Sequence, residues 1–314
     1  MDAKVMETFE SWRANVTEEY LVEELAELAQ PEAEDKLYDA FYRSLAFGTA
    51  GLRGTIGVGT NRMNVYVVAQ ATQGLADYLN AHYHNPTVAL ARDSRLRGED
   101  FQKVAAGVLA ANGIRVYVYP RIEPVPTLSY AVRYLKTSAG IVLTASHNPA
   151  PYNGYKVYND NGGQITDEAA DEISANIARV NPFDVKPMDF EEGLEKGLII
   201  WTPEEVLDNF IEAIKRVSIP GFKAADGYKV VYTPLNGTGM ECVTRILKEI
   251  GVNDVDVVPE QAEPDGNFPT CSYPNPEFRE ALELGLKLAD KVKPNLLVAT
   301  DPDADRMGTA IPHN

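Results

Sequence analysis

One order of elements occurs twice along this chain: an apolar strand, a polar loop, an amphipathic helix, a glycine and a second apolar strand. A chain with that rhythm has few folds open to it beyond a layered α/β sheet. In the first pass, residues 87–91 predict a strand, residues 99–112 a helix closed by the Asn112–Gly113 pair, and residues 114–119 the next strand. In the second, residues 229–233 predict a strand and residues 234–239 a polar loop. A helix follows with Val243, Ile246, Leu247 and Ile250 on one face, stopped at Gly251, and residues 255–258 form the next strand. Residues 65–80 and 126–136 add helices, and residues 140–143 and 296–300 add buried strands. Two related α/β units account for the repetition, and so does convergence on a common supersecondary motif.

The 314 residues suit about two domains. Leu21, Leu25 and Leu28, then Leu37 and Phe41, predict helical patterning over residues 1–40, a lead-in that packs on the body. The first unit is expected over 41–200 and the second over 201–314. The boundary falls near 185–203, where composition turns irregular, and a helix over 203–217 opens the second unit. No run approaches a membrane span, and the first residues lack the basic start and apolar run of a secretory signal. Two cysteines, Cys242 and Cys271, offer neither metal-ligand spacing nor a disulfide framework, so a reducing, cytoplasmic setting is expected. A net charge of −17 argues against a nucleic-acid partner. An anionic substrate would therefore need locally placed basic residues or a cation beside it.

Two loops carry the chemical signal, and each follows a predicted buried strand. Residues 144–149 read Thr-Ala-Ser-His-Asn-Pro, with Ser146 at the strand end, where α/β sheets place ligands. Pro149 and Pro151 prevent a helix from starting there, so Ser146 is expected on an irregular, exposed loop. Serine is a weak nucleophile that needs a base, a cation or both; a plain Ser/Asn turn is the competing reading. Residues 301–306 read Asp-Pro-Asp-Ala-Asp-Arg. Asp301, Asp303 and Asp305 alternate, and in a tight loop their carboxylates can converge on one hard cation. A solvated acidic turn competes here. A calcium EF-hand does not, because Arg306 and Pro312 stand where that loop needs glycine and glutamate.

A scattered basic set completes the candidates. Arg53 lies in the glycine-rich segment 47–54, where a guanidinium can pair two phosphate oxygens. Arg92, Arg95 and Arg97 follow the strand at 87–91. Lys156 lies ten positions after Ser146 and can act as a proton acceptor if neighbouring cations lower its pKa. Of the four histidines, His147 alone draws attention, by adjacency to Ser146, as a proton-transfer or hydrogen-bonding group. His82, His84 and His313 show no ligand spacing.

From about residue 40 onward these segments resemble, in the same order, those of the α-D-phosphohexomutase (phosphoglucomutase/phosphomannomutase) family. Residues 144–149 are similar to its phosphoserine loop and 301–306 to its magnesium loop. Residues 47–54 are similar to its arginine-bearing loop, and 91–95 (Ala-Arg-Asp-Ser-Arg) to a strand-end motif. Lys156 stands at the family's active-site lysine. The resemblance implies two related three-layer α/β/α domains behind a helical lead-in. It also implies a phosphorylated Ser146 and Mg²⁺ held by Asp301, Asp303, Asp305 and a phosphoserine oxygen. A phosphoryl group then passes to a sugar phosphate and back through a bisphosphate such as glucose 1,6-bisphosphate, which serves as activator. Arg53 would stabilise the transferring group and Lys156 would serve as base. Arg95, Arg306 and Asn148 would contact substrate or phosphate.

Family members carry two further domains, a third that reads sugar hydroxyls and a fourth that grips the non-reacting phosphate. Neither loop occurs before Asn314, so the chain is expected to be an N-terminal fragment that needs that C-terminal half for turnover. The segment 308–314 shows no finishing element. The helical lead-in and the form of the glycine-rich loop look most like the branch of the family with phosphoglucomutases and phosphopentomutases, a resemblance that favours glucose over mannose phosphate and leaves glucosamine and pentose phosphates open. Two rivals stand beside the mutase. One is an aspartyl phosphatase using Asp301 and Asp303, which leaves the Ser146 loop unexplained. The other is a catalytically silent phosphosugar-binding half-protein.

Overall fold

A computed structural model of the chain describes residues 2–219, 221 and 224–313. It begins with α1 (Ala3–Asn15), α2 (Glu19–Leu28) and α3 (Glu34–Phe41). Asp2 caps α1, its carboxylate accepting from the Lys4 amide at 2.7 Å. The three helices bury Phe9, Trp12, Leu21, Leu25, Leu37 and Phe41. Trp12 meets Phe41, Tyr66 and Phe183 edge to face, which ties the lead-in to the body. These side chains share one apolar core with the first sheet.

That sheet alternates with helices in chain order: β1 (Leu52–Thr55), α4 (Val65–His82), β2 (Thr87–Arg92), α5 (Gly98–Ala111), β3 (Arg115–Val118), α6 (Val125–Leu135), β4 (Ala139–Leu143), β5 (Tyr152–Asn159), α7 (Asp167–Ile177), α8 (Phe190–Glu195) and β6 (Ile199–Trp201). Its strand order is β1-β5-β4-β2-β3-β6. Because side chains alternate along a strand, β2 sends Val88 and Leu90 to the core shared with α4 and α5. Ala89 and Ala91 go to the opposite face, against Leu128, Ala131 and Val132 of α6. Helices on both faces bury the central strands completely, and that burial explains their unbroken apolar runs.

β2, β3, β4 and β6 run parallel, so the loops after β2 and β4 open side by side at one edge. β5 returns antiparallel to β4, and β1 pairs antiparallel with β5. This register sets Lys156 opposite Val142 and Arg53 opposite Gly154, at the same edge as Ser146. Gly51 makes the approach to β5 possible: its φ is +74° and a Cβ there would lie 1.8 Å from the Tyr155 carbonyl oxygen.

The second unit comprises α9 (Glu205–Arg216), β7 (Lys229–Thr233), α10 (Gly239–Glu249), β8 (Asp254–Val257), the short α11 (Pro259–Ala262), α12 (Arg279–Val292), β9 (Leu296–Thr300) and β10 (Met307–Ala310). Its sheet runs β10-β9-β7-β8, parallel except for β10. Val243 and Leu247 of α10 cover one face over Val230, Tyr232 and Val298. Leu282, Leu286 and Ala289 of α12 cover the other over Val231 and Leu297. Each unit is thus a three-layer α/β/α sandwich. α9 bridges them, with Val206 in the α6 layer and Leu207 and Ile211 against Cys242 of α10.

Several elements depart from the sequence expectation. β5 is not anticipated, because Tyr-Asn-Gly-Tyr-Lys-Val-Tyr-Asn has no clean alternation; the strand is buried on both faces and its polar groups are used in the site. The irregular stretch 185–203 holds α8 and the edge strand β6, which pairs with β3. α12 also goes unread. At the C-terminal end, Met307–Ala310 forms a strand where no finishing element is expected. It is too short and glycine-marked to show a period, and the reversal at the Asp301–Arg306 loop lays it on β9.

Candidate active site

Two loops from different units meet face to face. The first leaves β4 at Thr144, whose backbone N–H still bonds the Gly154 carbonyl at 3.1 Å. Ser146 then turns with φ of +54°, a left-handed conformation uncommon for a residue with a side chain. Its backbone N–H is satisfied by the Thr144 hydroxyl oxygen at 2.8 Å. The second loop leaves β9 at Asp301 and is pinned largely by itself. Asp301 accepts the Arg306 N–H on Oδ1 at 3.0 Å, and its carbonyl accepts from the Ala304 N–H at 2.9 Å. Thr238 adds a brace, its N–H and hydroxyl both reaching the Pro302 carbonyl at 2.9 Å.

Where the loops meet, the Ser146 hydroxyl donates to Asp301 Oδ2 at 2.9 Å and lies 3.1 Å from His147 Nδ1. Ser146 is therefore buried rather than exposed, at 3% of its free surface. The proline-bounded loop is irregular as expected, but the Asp301–Arg306 loop of the other unit covers it. The Thr144 hydroxyl sits 2.6 Å from Asp93 Oδ2 and 3.1 Å from Asp303 Oδ2, joining both loops to the end of β2. The backbone adds one more joint, as the Val125 N–H donates to the Asp303 carbonyl at 2.9 Å.

Asp301, Asp303 and Asp305 bring one carboxylate oxygen each within 4.8 Å of one another. Burial pushes the Asp301 carboxyl up to about 8, with Asp303 and Asp305 adding repulsion. Burial opposes ionisation of Asp303 too, but Lys156 outweighs it and holds that carboxyl below the usual range. The Lys156 ammonium donates to Asp303 Oδ2 at 2.9 Å and Asp305 Oδ2 at 3.4 Å. Among the described residues, Asp303 Oδ1 is buried with no hydrogen-bond partner. A self-repelling, all-oxygen set with an orphaned buried carboxylate oxygen fits a hard divalent cation.

The basic candidates divide. Arg53 donates to Asn148 Oδ1 at 3.2 Å and borders the serine loop from β1. Arg306 lies at the mouth, 3.1 Å from Glu277 and partly exposed. Burial, then Arg306 and Arg53, pull the His147 ring down, so it is neutral near pH 7 with a lone pair available on one nitrogen. Lys156 corrects its expectation. Burial does lower its pKa, but Asp303 and Asp305 more than offset it, and the ammonium is held above its ordinary value. Arg95 also corrects its expectation as a phosphate contact: its side chain is fully buried beneath the serine loop. Arg92 turns to Gln102, and Arg97 stacks on Tyr20 and pairs with Asp100, both away from Ser146. His82 pairs with Glu172 at the surface.

Four contributors escape a sequence reading: Asp93, Thr144, Glu277 and Phe268. Asp93 had a visible signal, a carboxylate directly after the buried strand β2; its pKa rises to about 6 through burial, against the pull of Arg95. Glu277 and Phe268 belong to irregular segments with no periodicity to mark them.

Known proteins match this architecture along most of its length. Residues 44–182 match the phosphoglucomutase/phosphomannomutase α/β/α domain I, and residues 208–314 match α/β/α domain II. A phosphoglucomutase of Staphylococcus saprophyticus is 40% identical over 95% of this chain and 53% of its own length. One from Staphylococcus haemolyticus is 39% identical over 85% of this chain and 48% of its own. The chain thus spans about half the length of the curated relatives it matches. A solved structure from Thermus thermophilus, described as a phosphomannomutase, superposes with a TM-score of 0.72 at 26% identity, covering 86% of this chain and 57% of that one. Two domain matches and a shared order of loops have one source: the chain belongs to the phosphoglucomutase/phosphomannomutase family.

Proposed function

We propose that this chain is the phosphoryl-carrying half of a phosphosugar mutase that moves a phosphoryl group between the 1- and 6-positions of a hexose phosphate, with glucose phosphate as first choice. The observation that carries the reading is the Ser146 hydroxyl 2.9 Å from Asp301, the first member of a converging carboxylate triad. The relatives named phosphoglucomutase support the substrate choice.

In this reading Ser146 Oγ carries the phosphoryl group. Transfer breaks the P–Oγ bond and forms a bond to a hydroxyl oxygen of the sugar phosphate, whose proton leaves to a base; the reverse transfer, from the other phosphate of the bisphosphate, recharges Ser146. Asp301, Asp303 and Asp305 would hold Mg²⁺ together with a phosphoserine oxygen. The cation would supply neutralisation of charge on the transferring group. Lys156 is the first candidate for the base. Its proton is held by Asp303 and Asp305, so it becomes available when those carboxylates are shared with a cation. Arg53 and Asn148 border the space above Ser146 and would orient the incoming oxygens, Arg306 would meet phosphate at the mouth, and neutral His147 would accept or return the serine proton. A cytoplasmic setting and a C-terminal half that reads the sugar and the non-reacting phosphate belong to the same proposal.

Intact-mass and peptide mapping test it. The protein, in the longest form its reading frame encodes, is incubated with glucose 1,6-bisphosphate and Mg²⁺. One phosphoryl group on Ser146, transferable to glucose 1-phosphate and absent from Ser146→Ala, is expected. Phosphate on Asp301 instead would overturn the mutase in favour of an aspartyl phosphatase. A chain that binds hexose phosphate but is never charged would leave a silent binding protein.

A further inference from the structure

Arg95 is a buried cation whose two terminal nitrogens are committed to one loop. Its residue is 2% exposed. One terminal nitrogen donates to the carbonyls of Pro149 at 3.0 Å and Tyr152 at 2.8 Å. The other donates to the carbonyls of Ser146 at 2.6 Å and Asn148 at 2.5 Å. A guanidinium offers four hydrogens on those two nitrogens, and all four are spent on the backbone of one loop. Nε faces Asp93 Oδ2 at 3.4 Å as an ion pair. Nε makes no hydrogen bond among the described residues, but neither terminal nitrogen has a hydrogen left over for a phosphate oxygen.

The lid over this guanidinium comes from the other unit. Phe268 is buried and places its ring 5.1 Å from the Arg95 guanidinium carbon. The turn that carries it sits flat on the Arg95 backbone. A Cβ on Gly266 would lie 2.6 Å from the Leu96 nitrogen and 2.7 Å from the Ser94 carbonyl oxygen, so only glycine allows the contact. Phe268 itself takes a positive φ of +46° to reach the site. Four carbonyls on a charged fork hold Ser146 in its left-handed turn, and Phe268 keeps water from competing for that fork.

We infer that Arg95 is a positioning residue for the Ser146 loop, and that the 265–268 turn of the second unit seals it. Seating of the second unit on the first therefore sets the geometry of the phosphoryl-accepting hydroxyl, besides delivering the carboxylates. The kinetic part of this inference rests on the mutase reading; the structural part does not.

Arg95→Lys tests it, because lysine keeps the charge but has three donors on one nitrogen and cannot span four carbonyls. Hydrogen exchange is followed by mass spectrometry on peptides covering residues 144–152, where the Asn148 and Tyr152 amides close local turns. We expect exchange there to speed up by about tenfold or more while the rest of the first sheet is unchanged. Charging of Ser146 by glucose 1,6-bisphosphate should slow by on the order of a hundredfold with an unaltered half-saturating concentration. Phe268→Leu leaves every hydrogen bond of the fork intact while removing the ring over it, and should show the same pattern, reduced; it carries the test if the lysine variant fails to fold. Unchanged exchange over 144–152 in both folded variants, or a rise confined to the half-saturating concentration, would overturn the inference. If the unsubstituted protein is never charged, the mutase reading falls and the exchange comparison still decides the positioning role.

Discussion

The loop at 144–149 and the loop at 301–306 do the same structural job, presenting polar side chains from the end of a buried parallel strand, and they are held in opposite ways. The carboxylate loop folds on itself: Asp301 binds the Arg306 and Ala304 amides, five and three positions away. The serine loop is held from outside, by the Arg95 side chain from β2's end, by Thr144 linking to Asp93, and by the covering carboxylate loop. A loop held by local bonds keeps its shape whatever its partners do. A loop whose shape depends on distant partners becomes competent only when both units are seated.

The largest break in this comparison should come from the buried pair of the carboxylate loop. Asp303→Asn leaves Lys156 buried with only the more distant, partly exposed Asp305. Removing one partner of such a pair costs about 3–5 kcal/mol. Asp305→Asn should cost far less, since that side chain is 31% exposed. Both should abolish or weaken the rise in melting temperature on adding Mg²⁺. Thermal melts with and without Mg²⁺ separate the two effects, and an equal loss of stability in both variants would show that Lys156 is not held chiefly by Asp303.

One of the long-range anchors of the carboxylate loop lies beside a group that titrates. The Val125 amide that holds the Asp303 carbonyl follows Glu123, which is buried against Arg121; that arginine also reaches Glu204 and Glu241 of the second unit. Burial lifts the Glu123 carboxyl to about 7, with Arg121 opposing and Glu241 and Glu204 adding to the rise. The folded state therefore keeps this proton where the unfolded chain has released it. Stability contributed by the protonated form is present below about pH 4.5 and is lost as pH rises toward 7. Glu123→Gln keeps the neutral form at every pH. Relative to the unsubstituted protein it should gain about 2–3 kcal/mol between pH 4.5 and 8. Denaturant titrations at those two pH values check it; parallel stability curves would place Glu123 at its ordinary pKa.

How much of this was legible follows the same division. The alternation of strands and helices was readable because β2, β4, β7 and β9 are buried on both faces and carry unbroken apolar runs. The carboxylate triad was readable because its spacing and its repulsion are both local. Ser146 was readable as a hydroxyl at a strand end, but its burial was not, because the covering loop lies 155 positions later. Arg95 shows the limit most clearly. A guanidinium near a strand-end serine loop suits a phosphate grip and a carbonyl clamp equally well, and only the positions of four carbonyls distinguish them. The protonation of Lys156 was hidden for a related reason: it follows from two carboxylates of the 301–306 loop, against which β5 carries the lysine, and β5 has no alternating signature.

Thr144 joins the two loops, and its replacement should cost less than either preceding change. Thr144→Val keeps the shape but strips the hydroxyl from Asp93, from Asp303 and from the Ser146 amide. Leaving buried groups without a partner costs about 1–3 kcal/mol. The serine loop should suffer and the carboxylate loop should not, so exchange should quicken over residues 144–152 while Mg²⁺ still raises the melting temperature. Loss of the Mg²⁺ response would mean that the carboxylate loop also depends on Thr144, and the contrast between local and borrowed order would fail.

The smallest effect belongs to Glu277, which holds Arg306 at the mouth. The two side chains are 64% and 41% exposed, and a pair in that setting contributes about 0–1 kcal/mol. Glu277→Gln should leave the melting temperature within about 2 °C of the unsubstituted protein. Its effect should lie elsewhere. Arg306 carries its backbone amide on Asp301, so the root of the side chain is fixed by the self-folded loop and only the guanidinium is freed. A freed cation at the mouth is available to an incoming phosphate. The half-saturating concentration of glucose 1,6-bisphosphate for charging Ser146 should therefore fall severalfold, with the maximal rate unchanged. A rise instead would mean that Glu277 aims Arg306 at the phosphate, and that the carboxylate loop too borrows part of its order from outside.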